Sequence, residues 1–339
     1  MTKVAVVILN FNGEKFLREL LPGVVANSPE GEVIVADNGS TDGSIPFMKN
    51  EMPSVRLIEF KENYGFAEGY NQALKQVEAE YYILLNSDVE VTAGWLNPLV
   101  AYMDAHPETA ACQPKLLAFH QRDSFEYAGA CGGYLDSLGY PFCRGRIFGT
   151  VEQDLAQYDS VQEVFWATGA CLMIRSQRYH EIGGLDGEFF AHMEEIDMCW
   201  RLKARGHSIV CIPESKVYHV GGGTLAAESP RKTYLNFRNN MLMIYKNQFE
   251  HYRLRFVVRM ALDYVAALQM LVQGKRENSK AVFKARRDFW KMKQSFKDKR
   301  QQNKALTTER QPKGLLPSSI LLAYYLKGKK HFSQLKWTI

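Results

Sequence analysis

The chain has 339 residues, 46% of them hydrophobic and 23% charged, which is ordinary globular composition with room for one large α/β domain and a smaller appendage. The net charge of +5 is local: residues 274–314 hold 14 Lys and Arg against 4 Asp and Glu, which leaves the rest of the chain at −5. The basic excess therefore belongs to a tail, where it favours anionic lipid headgroups, and no nucleic-acid partner is expected. The six cysteines (Cys112, Cys131, Cys143, Cys171, Cys199 and Cys211) form no C-x-x-C pair and no metal-ligand spacing, so reduced core thiols of a cytoplasmic protein are expected.

In chain order, Val4 to Leu9 is an apolar, strand-forming run that ends in the turn signal Asn10 to Gly13. It is too short for the core and cleavage site of a signal peptide. Glu14 to Val25 has helical spacing, with Phe16, Leu17, Leu20, Leu21 and Val24 on one side. Strands are predicted at Val33 to Ala36, Val55 to Phe60 and Tyr81 to Leu85, with a helix from Phe66 to Glu78. This alternation argues for a mainly parallel sheet with right-handed crossovers. The middle is less regular. A helix is predicted over Trp95 to Ala105, a strand over Ala110 to Leu117, and a loop or hairpin over Gly129 to Gly149. Further on, the pattern gives one buried strand over Val164 to Ile174, a helix from Glu194 to Arg205, strands at Ser208 to Ile212 and Lys216 to Val220, and a helix from Pro230 to Gln248.

After Glu250 the character changes. Phe256 to Val272 is apolar but contains Arg259 and Asp263, whose i, i+4 spacing lets them pair on one helix face. Two charges in so short a stretch predict a packed or interface-lying helix and not a span. Leu315 to Leu326 is a second apolar stretch bordered by Lys327, Lys329 and Lys330; it suits either a membrane surface or a cap on the main domain. The division expected is 1–249 for the catalytic domain and 250–339 for a basic, partly amphipathic helical extension.

The chemistry-bearing residues cluster at strand ends, the edge where open α/β sheets bind ligands. Asp37 closes the second strand, and as an ionised acceptor it suits the N3–H of a pyrimidine. Asn38 beside it and the sister turn holding Asn10 and Asn12 extend the nucleotide cleft. Turn formation explains the same residues equally well. Asn86 to Asp88 follows the fourth strand. Asp88 suits a divalent cation that offsets charge on a departing diphosphate, with His219 as its second ligand. Glu194, Glu195 and Asp197 offer a base for an acceptor hydroxyl. They also complement a helix dipole, and Asp197 pairs well with Arg201 at i, i+4. Arg238 suits phosphate oxygens; Trp166, Thr168 and Gly169 suit an acceptor pocket or the core; Asn63 to Phe66, with Gly65, suits a turn closing over a donor. Neither a Walker loop nor G-x-G-x-x-G is present, which sets aside kinases and dinucleotide enzymes.

In this order, these motifs resemble glycosyltransferase family 2, especially its bacterial rhamnosyltransferase-like branch, over roughly Val4 to Asn247. Val6 to Gly13, Val33 to Ser44 and Asn63 to Ala67 look like the nucleotide-binding half. Leu84 to Asp88 sits at the metal motif, Trp166 to Arg175 at the acceptor-side strand, and Glu194 to Leu202 at the catalytic acidic pair. His219 to Thr224 and Arg238 with Asn239 match later signatures. The resemblance implies an α/β GT-A fold, a nucleoside-diphosphate sugar donor, Mg²⁺ or Mn²⁺, and inversion at the anomeric carbon. It implies Asp37 on the base, Asp88 on the metal and Glu195 on the acceptor proton, and it points to deoxythymidine-diphosphate rhamnose as donor. The acceptor would be a glycan or a lipid-linked glycan, met at the inner face of the cytoplasmic membrane. Three positions depart from the family pattern: Asn86 and Asn38 each stand where an acid is common, and Glu195 stands where Asp is usual, which keeps Asp197 a rival base. Two other readings remain at this point, a sugar-1-phosphate nucleotidyltransferase and a non-catalytic sugar-binding relative.

Overall fold

A computed structural model describes residues 2–221 and 229–337. Its strands are β1 (Thr2–Asn10), β2 (Gly31–Asp37), β3 (Arg56–Glu59), β4 (Ala79–Asn86), β5 (Val89–Val91), β6 (Thr109–Ala118), β7 (Gly133–Asp136), β8 (Pro141–Cys143), β9 (Arg146–Ile147), β10 (Thr150–Val151), β11 (Gln162–Glu163), β12 (Cys171–Arg175), β13 (Ser208–His219) and β14 (Leu315–Leu316). The α-helices are α1 (Glu14–Ala26), α2 (Ser44–Glu51), α3 (Gly65–Leu74), α4 (Leu96–Ala105), α5 (Ser176–Glu181), α6 (Glu194–Ala204), α7 (Pro230–Asn247), α8 (Tyr252–Val272), α9 (Arg276–Met292) and α10 (Phe296–Leu306).

The main sheet runs β11-β13-β6-β12-β4-β1-β2-β3, with β5 paired to β13. β3, β2, β1 and β4 are parallel, as the alternation predicts, and β12 is antiparallel to β4 and β6. Side chains alternate across the sheet, so β1 feeds two cores. Val4, Val6 and Ile8 pack with Leu17, Leu21 and Val24 of α1 and Leu96, Leu99 and Met103 of α4. Ala5 and Val7 pack with Ala67, Tyr70 and Ala73 of α3 on the other side. The chain builds β2 and β3 on one side of β1 and then places β4 on the other. That reversal is the point where parallel sheets leave a crevice at their carboxyl ends.

Several expectations are corrected. The run Val164 to Ile174 is not one strand. It breaks at Thr168, whose Oγ1 accepts the Ala170 amide at 3.3 Å, and only Cys171–Arg175 joins the sheet. The two strands expected from 208 to 220 are one, β13, with register shifts against β6. Gly129 to Gly149, expected as loop or hairpin, does form a hairpin, β7–β8, and goes further to make most of a second sheet ordered β10-β9-β8-β7-β14. Its fifth strand, β14, is the start of the apolar stretch Leu315 to Leu326, so that stretch begins by packing on the domain. Tail and domain interlock further on. Phe332 lies among Tyr134, Phe142 and Tyr158, and its amide donates to Glu152 at 2.9 Å. Arg259 and Asp263 do pair, at 3.0 Å, and Arg286 of α9 joins Asp263 at 2.9 Å. Among the described residues no helix is long and apolar enough to cross a membrane, and the six cysteines are free and buried.

Candidate active site

The ends of β1, β2 and β4 stop level: Asn10 pairs with Asp37, and Leu9 with Asn86. Asp37 Oδ2 accepts from Asn10 Nδ2 at 2.9 Å, and its Oδ1 accepts from the Ser40 amide at 2.8 Å. Asn12, at φ +51°, donates its amide to Ser40 Oγ and accepts the Thr41 amide through Oδ1 at 2.7 Å. The two turns thus hold each other. Among the described residues nothing donates to Asn10 Oδ1, a buried acceptor facing the turn where Gly13 meets Ser87. Buried polar atoms normally have partners, so an orphan at a strand-end crevice marks a place where a ligand donor fits.

Asn38 serves the neighbouring loop. Its Nδ2 donates to Asn63 Oδ1 and the Gly65 carbonyl, and its Oδ1 accepts the Tyr64 amide. Gly65 has φ +79°, and a Cβ there would lie 2.5 Å from the Phe190 ring, so both conformation and space demand glycine. These contacts brace Asn38 and Gly65 in the wall of the crevice. Their expected nucleotide role stands beside that structural one.

The metal-site candidates converge. β5 pairs with the end of β13, setting Val89 opposite His219, and the Val220 amide donates to the Asp88 carbonyl at 3.0 Å. His219 Nε2 is 3.1 Å from Asp88 Oδ1, and its Nδ1 is 3.2 Å from Glu126 Oε1, although that second contact is off the hydrogen-bonding direction. Burial works to lower the His219 pKa, but the two carboxylates outweigh it and lift it to about 10. Burial likewise works to raise Asp88, and the His219 contact overrides it, holding the carboxyl below its usual range. In this arrangement the imidazolium occupies the place between two acids that a cation would otherwise take. Among the described residues no group of three or more His, Cys, Asp or Glu has metal-holding geometry. The donor set nevertheless fits a hard divalent cation of the Mg²⁺ or Mn²⁺ type, which takes one or two protein ligands and completes its shell with water and phosphate. Glu126 is placed to orient the imidazole, as carboxylates behind metal-bound histidines do. Nothing in the sequence around Glu126 signals this. Gly222, Gly223 and Thr224 of the glycine signature lie outside the described residues.

The acids at the start of α6 separate into different roles. Asp197 is fully buried and spent: it accepts from Arg201 at 2.8 Å, Lys246 at 2.9 Å and Asn247 at 2.8 Å. Its oxygens are occupied, so its expected share in proton transfer stands beside a structural role. Glu194 and Glu195 instead keep Oε2 atoms that are buried and, among the described residues, unpartnered. Burial and the adjacent Glu195 push Glu194 well above the usual carboxylate range. Burial also raises Glu195, to about 7, against three backbone amides that oppose the shift. Glu195 as a whole is partly open to solvent while Glu194 is buried.

The segment before these acids is strained. Phe190, His192 and Met193 have φ of +66°, +69° and +74°. Phe190, at ψ −61°, is the centre of a three-residue turn closed by Ala191 N to Phe189 O at 2.8 Å, a form rare for side chains of this size. Asn239 holds it there, its Nδ2 lying 2.9, 2.8 and 2.7 Å from the carbonyls of Phe189, Ala191 and His192. Arg238 donates to the Phe189 carbonyl at 3.0 Å and so supports this turn; its expected contact with the donor phosphates stands beside that structural role. The sequence marks Arg238 and Asn239 only as a signature, with no hint of this bracing.

The acceptor-side candidates also divide. Trp166 is core: it is 3% exposed, donates Nε1 to the Tyr134 carbonyl at 3.0 Å and covers Gly133, where any side chain would collide with it. Of the two expected readings, acceptor pocket or core, these contacts favour the core. Thr168 is buried, its amide donating to Gln113 at 3.0 Å. Gly169 does border the site, since a Cβ there would lie 3.2 Å from Phe66 and 3.8 Å from Glu195 Cβ. The Asn86 amide donates to the Ala170 carbonyl at 2.9 Å, which ties this turn to the Asp88 loop.

The fold agrees with the comparisons. The family model described as glycosyl transferase family 2 matches residues 5–148. An N-acetylglucosaminyl-diphospho-decaprenol L-rhamnosyltransferase of Mycobacterium tuberculosis is 28% identical over 224 residues, covering 61% of this chain and 71% of the relative. Over residues 5–148 the chain carries a glycosyltransferase family 2 domain. Among solved structures, GalNAc-T7 with UDP, GalNAc and Mn²⁺ superposes with a TM-score of 0.57 at 16% identity, over 85% of this chain and about half (54%) of that one. Staphylococcus aureus TarS 1–349 with UDP-GlcNAc gives 0.56 at 17% identity, over 85% and 80%. At such identities these structures speak for the fold, which is GT-A, and the chain carries a helical C-terminal region on it.

Proposed function

We propose that this glycosyltransferase is a metal-dependent, inverting enzyme that moves a sugar from a nucleoside diphosphate to a glycan or lipid-linked acceptor in cell-surface polysaccharide synthesis. The observation that carries the reading is Glu195: a carboxylate with an unpartnered oxygen, raised to about 7, beside the Gly169 turn that the Asn86 amide ties to the Asp88 loop. In one displacement it would take the acceptor hydroxyl's proton as that oxygen attacks the anomeric carbon, and a base poised near the working pH does this best. Asn10, Asn12 and Asp37 would frame the base and ribose, with Asn10 Oδ1 free to accept from the nucleotide. Asp88 and His219 would hold the Mg²⁺ or Mn²⁺, which when bound supplies Lewis-acid neutralisation of the leaving diphosphate. Gly169 leaves the acceptor room to approach Glu195. The relative named for L-rhamnose transfer favours a deoxythymidine-diphosphate rhamnose donor and a lipid-diphosphate acceptor.

Residues 1–249 would carry this chemistry, and 250–339 would serve it from the cytoplasmic face of the membrane. Support for that placement lies in α8, whose polarity is reversed. Arg259 and Asp263 face inward, while Leu254, Val257, Val265, Leu268 and Val272 are 61–82% exposed. Arg253 and Lys275 stand exposed at its two ends, so the face suits an anionic bilayer. The test is a panel of nucleotide sugars with Mn²⁺ or Mg²⁺ and an isoprenyl-diphosphate-linked sugar acceptor. Metal-dependent product of inverted configuration is expected, and pyrophosphate exchange or binding without turnover would defeat the reading.

A further inference from the structure

Beyond Phe190, between α7 and α9, runs an open groove of about 950 Å³. Arg231, Arg238, Lys280, Lys284 and Arg287 line it against a single carboxylate, Glu277. Glu277 is paired to Lys280 at 2.7 Å, Arg287 lies 3.2 Å from Asp288, and Arg238 is engaged with the Phe189 carbonyl. Among the described residues Arg231 and Lys284 have no carboxylate partner. They lie over the rings of Phe190 and Tyr234, at 5.1 and 5.0 Å, held in place but not neutralised. Free cations in a concave surface with an aromatic floor match a phosphate group attached to hydrocarbon.

Two rings of the lining supply the direction. Phe190 has a carbonyl that accepts from the Phe66 amide at 2.7 Å and a ring that abuts Gly65; the chain runs on from it through Met193 into Glu194 and Glu195. Phe283 is 55% exposed, and its ring meets Tyr264 of α8 at 5.5 Å and so joins the outward apolar face of that helix.

We propose that the α7–α9 groove binds the phosphate headgroup of the lipid-linked acceptor, with Arg231 and Lys284 on its oxygens and the hydrocarbon leaving over Phe283 onto α8. This rests on the transfer to a lipid-linked acceptor proposed above. It adds the site that would set the distance between the acceptor's phosphate and Glu195.

The probe is farnesyl diphosphate, measured by calorimetry on the full chain beside inorganic pyrophosphate and phosphatidylglycerol vesicles. The variants are Arg231→Glu with Lys284→Glu, and separately Phe283→Ser, each checked for an unchanged melting temperature. Loss of two charged contacts should weaken farnesyl diphosphate by about tenfold or more and raise the KM for the lipid-linked acceptor, with nucleotide affinity unchanged. Phe283→Ser should weaken farnesyl diphosphate and leave pyrophosphate alone. Equal affinity in wild type and the double variant would overturn the proposal. So would equal binding of pyrophosphate and farnesyl diphosphate with no effect of Phe283→Ser, which marks a free-phosphate site, or loss confined to vesicles, which marks a membrane surface only. Calorimetry needs no turnover: failure of the transferase reading shows as binding without product, and failure of the groove as turnover with an unaltered acceptor KM.

Discussion

His219 Nε2 lies 3.1 Å from Asp88 Oδ1, although 131 positions separate the two in the chain. The contact exists because β5 turns back immediately after Asp88 to pair with the end of β13. Asp88→Ala should therefore remove metal-dependent transfer, by about 100-fold or more where the cation stabilises the leaving group. Because the substitution also takes a buried partner from His219, turnover is read on protein shown to be folded by circular dichroism. Full turnover in a Mn²⁺ titration would remove Asp88 from the site. Glu126→Gln should act more mildly, raising the Mn²⁺ needed for half activity about 10- to 100-fold, as the loss of a carboxylate behind a metal-bound histidine does.

Glu195→Gln should abolish transfer while donor affinity, read by calorimetry, stays within about twofold, because the base acts on the acceptor and not the nucleotide. In the wild type the base must be ionised. With its pKa raised to about 7 by burial, kcat should climb as pH rises through 7 and level off above it. A profile already flat at pH 5 would assign the proton to another group.

Asp197→Asn should behave differently from its neighbour. It leaves Lys246 and Arg201 short of a buried partner, a loss of about 3–5 kcal/mol for such pairs. The prediction is a lower urea midpoint, with the pH dependence of whatever activity remains unchanged. A shift of the rising limb would return Asp197 to the chemistry.

Asn239→Ala should lower kcat more than it changes donor KM. The side chain touches backbone carbonyls of the strained turn at Phe189 to His192, and through that turn it positions Glu195. Partial rescue by Asn239→Asp is not expected, because a carboxylate cannot donate to those carbonyls. Equal kcat in Asn239→Ala and wild type would show that the turn holds itself.

The parallel half of the sheet was legible because apolar runs such as Val33 to Ala36 end in strong turn residues, and both signals are local. The same locality misled over Val164 to Ile174, where the apolar run continues through a turn that only the Thr168 hydroxyl and the fit of Trp166 over Gly133 reveal. It also hid the second sheet, whose strands are two to four residues long and carry no period. α9 and α10 were covered only by the general expectation of a helical extension, although Val282, Ala285 and Phe289 recur at helical spacing and are residues that α9 buries.

From its sequence alone this protein had an ordered series of acids and amides at strand ends, and with them its family, its sheet and the neighbourhood of its chemistry. Folding decided which of those groups remain free to react. Whether a carboxylate is a base or a structural anion depends on partners that saturate its oxygens. Lys246 and Asn247 reach Asp197 from a helix about 50 residues away, while among the described residues nothing reaches Glu195 Oε2. Hydrogen-bond occupancy is set by contacts remote in the chain, so no local pattern records it.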